Sequence, residues 1–230
     1  YVQKNARKYK IGKELLSQAE DVLCKENKII YMEDGVSRWL PYSIESDCAK
    51  ELYRIVKNFS PCVNIDIDAE ISKSEKRLNC SLHINQREAV KQSLLNGVLL
   101  ITGGPGTGKT TVVKVMRDIM ENVLHKSVLF VAPTGRAAAR MKESSGYPAF
   151  TAHKKFQILD ENLCDKQGFC MEEECLVCDE TSMVDVYVAR RILQGIKSGN
   201  QIIFLGDVEQ LPSVGPGAFF KDMIDSGYIT

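Results

Sequence analysis

The chain has 230 residues, and 30 Lys and Arg balance 30 Asp and Glu, so no net charge draws it towards nucleic acid or a membrane surface. Hydrophobic residues at 44% and charged residues at 26% are ordinary for a soluble globular chain and exclude a disordered or collagen-like protein. No apolar run approaches the roughly 18 residues that span a bilayer, and the opening Tyr-Val-Gln-Lys is charged too early for a signal peptide. The chain opens on Tyr1 rather than Met and reads as a processed or excised piece. Its eight cysteines, in a chain this long without a secretory signal, read as free thiols, and the expected compartment is the cytoplasm.

Lys4, Arg7, Lys8 and Lys10 precede any acid, and Ile11, Leu15, Leu16, Ala19, Val22 and Leu23 then fall at helical spacing. Ile29–Met32 and Arg38–Leu40 flank Glu33-Asp34-Gly35 as a small hairpin. A second amphipathic helix is expected over about 44–58. Ser60 to Cys80, with Pro61 and the charged run Lys73–Arg77, reads as a connection. Residues 1–80 are thus expected to form a small, mainly helical N-terminal region and linker. From residue 81 the pattern changes. Short apolar runs at Val98–Thr102, Ser127–Ala132, Cys175–Asp179 and Gln201–Leu205 alternate with helical stretches at about 85–95, 109–123, 135–143, 184–197 and 217–226. This predicts an α/β domain over 81–230, with a parallel sheet and helices on both faces.

Gly103-Gly104-Pro105-Gly106-Thr107-Gly108-Lys109-Thr110 fits G-x-x-x-x-G-K-[ST] in full, between a predicted strand and a predicted helix. Its glycines let backbone N–H groups turn around phosphate oxygens, and the helix adds the partial positive charge of its N-terminus. Lys109 is placed to reach the β- and γ-phosphates of ATP, and the Thr110 hydroxyl to ligate Mg²⁺. The run Cys175–Cys178 delivers Asp179 and Glu180 to the C-terminal edge of a strand, where ligands bind in open α/β sheets. Asp179 is assigned to Mg²⁺ through its water shell, and Glu180 to orienting and deprotonating the attacking water. Two adjacent acids favour hydrolysis over phosphoryl transfer to a small molecule. Gln210 follows the predicted strand 201–205, where it either hydrogen-bonds a γ-phosphate or belongs to a structural turn. Cys164, Cys170, Cys175 and Cys178 have zinc-like spacing, but strand residues three apart point to opposite faces, so no structural zinc is expected. The methionines and Trp39 read as core.

In this order, these residues resemble superfamily I DNA helicases of the RecD-like branch, which includes the exodeoxyribonuclease V alpha subunit, over residues 82–226. Leu82–Ala89 is similar to the adenine-recognising segment, which implies Gln86 as the base contact. Gly103–Thr111 resembles motif I and adds Thr111 to the nucleotide site. Ala132-Pro133-Thr134-Gly135-Arg136 resembles motif Ia, and Thr151-Ala152-His153 a Thr-x-His element. The resemblance makes Pro133, Thr134, Arg136, Thr151 and His153 contacts of single-stranded DNA. It also gives Arg136, Arg140, Lys142, Lys154 and Lys155 a use as a strip along backbone phosphates, against the plainer reading of a solvated helix face. Asp179–Asp185 resembles motif II, and Gly206–Gly217 motif III, which implies a γ-phosphate sensor at Gln210.

The resemblance implies that residues 81–230 are a first RecA-like, ATP-binding motor domain. The complete helicase would couple Mg-ATP hydrolysis to 5′-to-3′ movement on single-stranded DNA and to duplex unwinding in repair and recombination. Its partners would be single-stranded DNA and, where the full-length protein works within a nuclease complex, the subunits of that complex. The chain stops at Thr230, soon after motif III and before a second motor domain, so it is expected to bind Mg-ATP, hydrolyse it poorly and not unwind DNA unaided. The competing reading is a P-loop ATPase that serves as a regulatory or assembly module and binds nucleotide indifferently to DNA.

Overall fold

The computed structural model describes residues 13–32, 35–61, 64–158, 170–210 and 212–229. The basic opening stretch, Ile11, the hairpin turn at Glu33 and Asp34, Cys164 and Leu211 lie outside the described residues. Backbone proximity divides the chain into two compact units, residues 1–46 and 47–230.

In the first unit, α1 (Lys13–Lys25) precedes a hairpin of β1 (Ile29–Met32) and β2 (Gly35–Arg38), with Ile29 opposite Arg38 and Met32 opposite Gly35. The Tyr31 hydroxyl ties the hairpin to α1 by donating to Glu20 Oε2 at 3.3 Å. The sequence pattern carries the second strand through Leu40, whereas Trp39 already opens α2 (Trp39–Asn58). Pro41 explains the early start. It falls in the first turn of the helix, where a missing N–H forfeits no hydrogen bond. Trp39 remains at the surface rather than in a core.

The second unit begins within α2, at Asp47, so residues 47–80 associate with the α/β core instead of ending a separate N-terminal region at 80. Much of the expected connection is helical: α3 (Ile67–Arg77) starts at Asp66, whose carboxylate accepts from the Ala69 N–H at 3.1 Å. The buried face of α3 is narrow, Ile71 and Ser74, and the charged run beside it obscures the helical period. Its last turn is tied to the core by Arg77, which pairs with Asp118 at 2.5 Å.

After α4 (Ile84–Leu95) come β3 (Val98–Thr102), α5 (Lys109–Asn122), β4 (Val128–Ala132), α6 (Gly135–Ser145), β5 (Ala149–Thr151) and α7 (Ala152–Lys155). They are followed by β6 (Cys175–Cys178), a 3₁₀ turn at Thr181–Met183, α8 (Val186–Gln194), β7 (Gln201–Gly206) and α9 (Phe219–Ser226). The five strands form one sheet, ordered β3-β7-β6-β4-β5, in which every neighbouring pair is parallel. The expected strands are all present. Strand β5 is an addition, because three residues after Pro148 are too few to carry a period.

Alternation along the strands shows that both faces are covered. Leu99, Ile101, Phe130, Cys175, Val177, Ile203 and Leu205 join one buried cluster with Ile71 of α3, Val90 of α4 and Met116 of α5. The intervening residues Leu176, Cys178, Ile202 and Phe204 are equally buried on the opposite face, where the Phe204 ring meets Phe219 of α9 edge-on at 5.6 Å. Strands buried on both faces read as unbroken apolar runs, and this parallel sheet bears out the α/β expectation. Cys175 and Cys178 do lie on opposite faces, and burial pushes each thiol up to about 12. Five methionines, Met116, Met120, Met141, Met171 and Met223, are core; Met32 and Met183 are exposed. Among the described residues, no helix is long and apolar enough to cross a membrane.

Candidate active site

The loop between β3 and α5 is held from two sides. The Gly103 N–H donates to the Gly206 carbonyl at 3.2 Å, which continues the β3–β7 ladder, and Thr107 closes the loop by donating its hydroxyl to the Gly104 carbonyl at 2.9 Å. Gly106 and Gly108 adopt left-handed φ of 78° and 84°, a region that a side chain would strain. A Cβ on Gly108 would also strike the Gln86 amide. Helix α5 starts at Lys109 with no side-chain cap; the Thr111 N–H donates to the Gly108 carbonyl at 2.9 Å, and no capping side chain meets the Lys109 and Thr110 amides. They open on a cavity of about 450 Å³.

Gly104 through Thr110 form one wall of this cavity, and Asp179, Glu180 and Gln210 belong to its lining. The sheet order explains the gathering. Strand β7 lies between β3 and β6, so the ends of three adjacent parallel strands deliver the loop, the two acids and the Gln210 turn to one edge. Gly103 and Thr111 flank the cavity in sequence without lining it. Lys109 donates to the Gly103 carbonyl and, at 3.4 Å, to the Gly104 carbonyl.

Asp179 is half-buried, and desolvation raises its carboxyl above the ordinary value of 3.8; the neighbouring Glu180 charge adds to the rise. A hydrogen bond from the Glu180 N–H, at 2.9 Å, and the Lys109 and Arg140 charges act the other way. Glu180 itself has φ 52° and ψ 40°, an uncommon conformation for a non-glycine residue, of the kind that collects at functional sites. The carboxylate of Glu180 is ion-paired with Arg140 of α6. Arg140 also lines the cavity, so it leaves the strip of basic residues in which the sequence pattern places it. No motif announces this: it depends on how α6 is rotated, with Ala137, Ala138 and Met141 buried and Arg140 at the margin of that face.

Such an arrangement suits a polyphosphate with a bound divalent cation. The uncapped helix start and the glycine loop offer N–H donors, Lys109 a positive charge, and Thr110, Asp179 and Glu180 hard oxygen atoms.

The other expected site residues lie elsewhere. Gln86 does not line the cavity. Its Oε1 accepts from the His83 N–H at 2.8 Å and its Nε2 donates to the Thr107 carbonyl at 2.9 Å, which buttresses the glycine loop from behind. Pro133 and Thr134 follow β4, and Thr151 ends β5; Ala132 and Thr151 are register partners, so these residues share the far end of the same sheet edge. The Thr134 hydroxyl caps α6 by accepting from the Ala137 N–H at 3.2 Å, and Thr151 caps α7 by accepting from the Lys154 N–H at 3.3 Å. Arg136, His153 and Lys154 are exposed, while Lys155 pairs with Glu173 at 3.0 Å.

Comparison with known proteins agrees with the resemblance carried by the motifs. The chain is 27% identical to the RecBCD enzyme subunit RecD of Buchnera aphidicola subsp. Schizaphis graminum, a match over 90% of this chain and 38% of the relative. It is 31% identical to the ATP-dependent RecD2 DNA helicase of Deinococcus radiodurans over 62% of this chain and 20% of the relative. The chain thus spans well under half the length of these curated relatives. The crystal structure of a Bacteroides Pif1 helicase in complex with ADP-AlF3 and ssDNA superposes at a TM-score of 0.43, with 24% identity over 64% of this chain and 37% of that one. The family described as AAA domain matches residues 86–216, which is more than half of the sequence and holds every residue that lines the cavity. On that match the chain belongs to the AAA domain family.

Proposed function

We propose that this chain is the ATP-binding motor domain of a RecD-like helicase, which in the whole protein couples Mg-ATP hydrolysis to movement along single-stranded DNA. The observation that carries the reading is the convergence of the glycine loop, Asp179, Glu180 and Gln210 on one cavity at the C-terminal edge of three adjacent strands.

In this reading the backbone N–H groups of the loop and the Lys109 ammonium bind the β- and γ-phosphates. Thr110 and Asp179 hold Mg²⁺, directly or through its water shell. Bound Mg²⁺ neutralises charge that builds on the phosphate oxygens during transfer. Glu180 orients a water molecule and takes its proton, and the Gln210 amide hydrogen-bonds the terminal phosphate. Gln86, fixed by two hydrogen bonds, keeps one amide hydrogen and one lone pair available, so it can meet an adenine edge while it supports the loop. Pro133, Thr134, Arg136, Thr151 and His153 lie at the same sheet edge as the phosphate site, where a single strand running past them would lie beside it.

The test is equilibrium binding of a fluorescent, non-hydrolysable ATP analogue with Mg²⁺, with and without a single-stranded oligonucleotide, using Lys109→Ala as the control. Binding that needs Lys109 and tightens with the oligonucleotide is the expected result. Binding that needs Lys109 and ignores the oligonucleotide favours a regulatory ATPase. Binding unaffected by Lys109→Ala removes the proposal.

A further inference from the structure

We infer that Arg140 is a nucleotide-site residue of this chain: its guanidinium meets the terminal phosphate of a bound nucleoside triphosphate, and in doing so exchanges its ion pair with Glu180 for one with phosphate. The inference rests on the proposed nucleotide site and assigns a cation to it from within the same domain, beyond the loop lysine.

The two members of the pair differ in freedom. The Glu180 side chain is 12% exposed and its backbone is anchored by the hydrogen bond to Asp179, so it stays where the end of β6 puts it. The Arg140 side chain is 66% exposed and rises from the surface-facing margin of α6. An ion pair with so exposed a member is weakly held. Arginine is therefore the partner that moves.

Charge decides where it moves. The cavity holds two cations, Lys109 and Arg140, against the carboxylates of Asp179 and Glu180. A triphosphate adds several negative charges that one divalent ion offsets only in part. Phosphate oxygens accept the planar fork of a guanidinium in a paired geometry, as a carboxylate does, and carry more charge. The exchange is short. In the proposed mechanism Glu180 holds the water that attacks the terminal phosphate, so a guanidinium already bonded to Glu180 stands within one side-chain rotation of that phosphate. The exchange also has a consequence for Glu180. While Arg140 occupies its oxygen, that lone pair is not available to a water proton; once Arg140 turns to phosphate, it is. Arg140 contacts only Oε1 of Glu180, so terminal-phosphate recognition and the opening of this second carboxylate oxygen are then one movement. A diphosphate, lacking the terminal group, leaves the pair closed.

The test is nucleotide affinity rather than turnover. Fluorescent Mg-bound non-hydrolysable ATP and ADP analogues are titrated against the full chain and its Arg140→Gln, Arg140→Lys, Glu180→Gln and Arg140→Gln/Glu180→Gln variants. Thermal melting confirms the fold, which an exposed side chain leaves intact. Arg140→Gln is expected to weaken the triphosphate analogue about tenfold and to change the diphosphate less than twofold, with Arg140→Lys between the two. Glu180→Gln is expected to tighten the triphosphate, because it frees the arginine. The double variant separates direct from indirect action. If Arg140 touches phosphate, its removal still weakens triphosphate binding in the Glu180→Gln background. If it only neutralises Glu180, the loss disappears there, and the inference is overturned. Equal weakening of both nucleotides, or of neither, overturns it too. Wild-type chain that binds neither nucleotide is the failure of the proposed function itself, and the inference falls with it.

Discussion

At the C-terminal edge of the sheet, the segments after β3, β6 and β7 turn around one cavity, whereas those after β4 and β5 spend their hydroxyls on starting helices. The first three bring the loop amides, Lys109, Asp179, Glu180 and Gln210 into a common space. The other two hold Thr134 and Thr151 as caps of α6 and α7 and leave Arg136 and His153 exposed. Concave geometry at one end suits a compact ligand with dense charge. An open rim of caps and cations at the other suits an extended backbone, which is met from outside and loosely. The two ends are joined by α6, which is capped by Thr134 on the rim and reaches the cavity with Arg140.

The largest effect that sharpens this contrast is at the cavity. Lys109→Ala is expected to weaken Mg-bound ATP analogue by about a hundredfold, the scale of a lost charge-assisted contact to two phosphates, with the melting temperature little changed. Thr151→Ala, at the other end, should leave that affinity within twofold. Comparable losses from both would mean that the two ends are not separate sites.

Next in size is Gly108→Ala. The left-handed φ of 84° costs about 1–2 kcal/mol for alanine, and the new methyl must also displace the Gln86 amide from the loop. Lower stability and weaker nucleotide binding should appear together. Adding Gln86→Ala makes room for the methyl and should recover part of the binding but not the backbone strain. If the double variant binds no better than Gly108→Ala, Gln86 is not the obstacle.

Thr134→Ala addresses the rim. As the cap of α6 it is expected to cost about 1 kcal/mol, a fall of about 2–4 °C in melting temperature for a chain of this size, whether or not DNA is present. Thr134→Ser keeps a capping hydroxyl and should restore most of it. A residue used only as a DNA contact would show weaker oligonucleotide binding with no change in melting.

What could be read from sequence follows this same division. Motif I is contiguous: eight residues carry both the loop geometry and one wall of the cavity, and the strand before it and helix after it are legible as periods. Asp179 and Glu180 are legible because an apolar strand must end at the ligand edge. Three features were hidden. The start of the second compact unit at Asp47 depends on which core α2 and α3 join, and α3 shows only Ile71 and Ser74 as its inner face. The hold of Gln86 on Thr107 links residues 21 apart through one amide, with no motif of its own. Arg140 belongs to the cavity only because of the rotation of α6, and sequence spacing assigns it as readily to the strip with Arg136. One-dimensional spacing reports what a strand end or a tight loop brings together; it does not report which of several cations on a helix reaches a cavity.

The smallest expected effect lies away from both ends, where α3 is tied to α5. Burial by itself would raise the Asp118 carboxyl, but hydrogen bonds from Arg77 and Asn122 and the Arg77 charge outweigh it and hold the group below the ordinary 3.8. A carboxyl with a depressed folded value binds fewer protons when folded than when unfolded. Its stabilisation is therefore complete above the unfolded value and is lost as pH falls through the folded one. Melting measured from neutral pH down to about 2 should show a gap between wild type and Asp118→Asn that is constant at the upper end and narrows below 3.8. Asp179 has the opposite sign, since its folded value is raised: its share of stability is present below the unfolded value and is lost as pH rises through the folded one. Asp179→Asn should thus change the profile above 3.8, where Asp118→Asn leaves it parallel to wild type. If both variants narrow on the same side, the carboxylate at the sheet edge is not the desolvated group that its position between Lys109 and Glu180 implies.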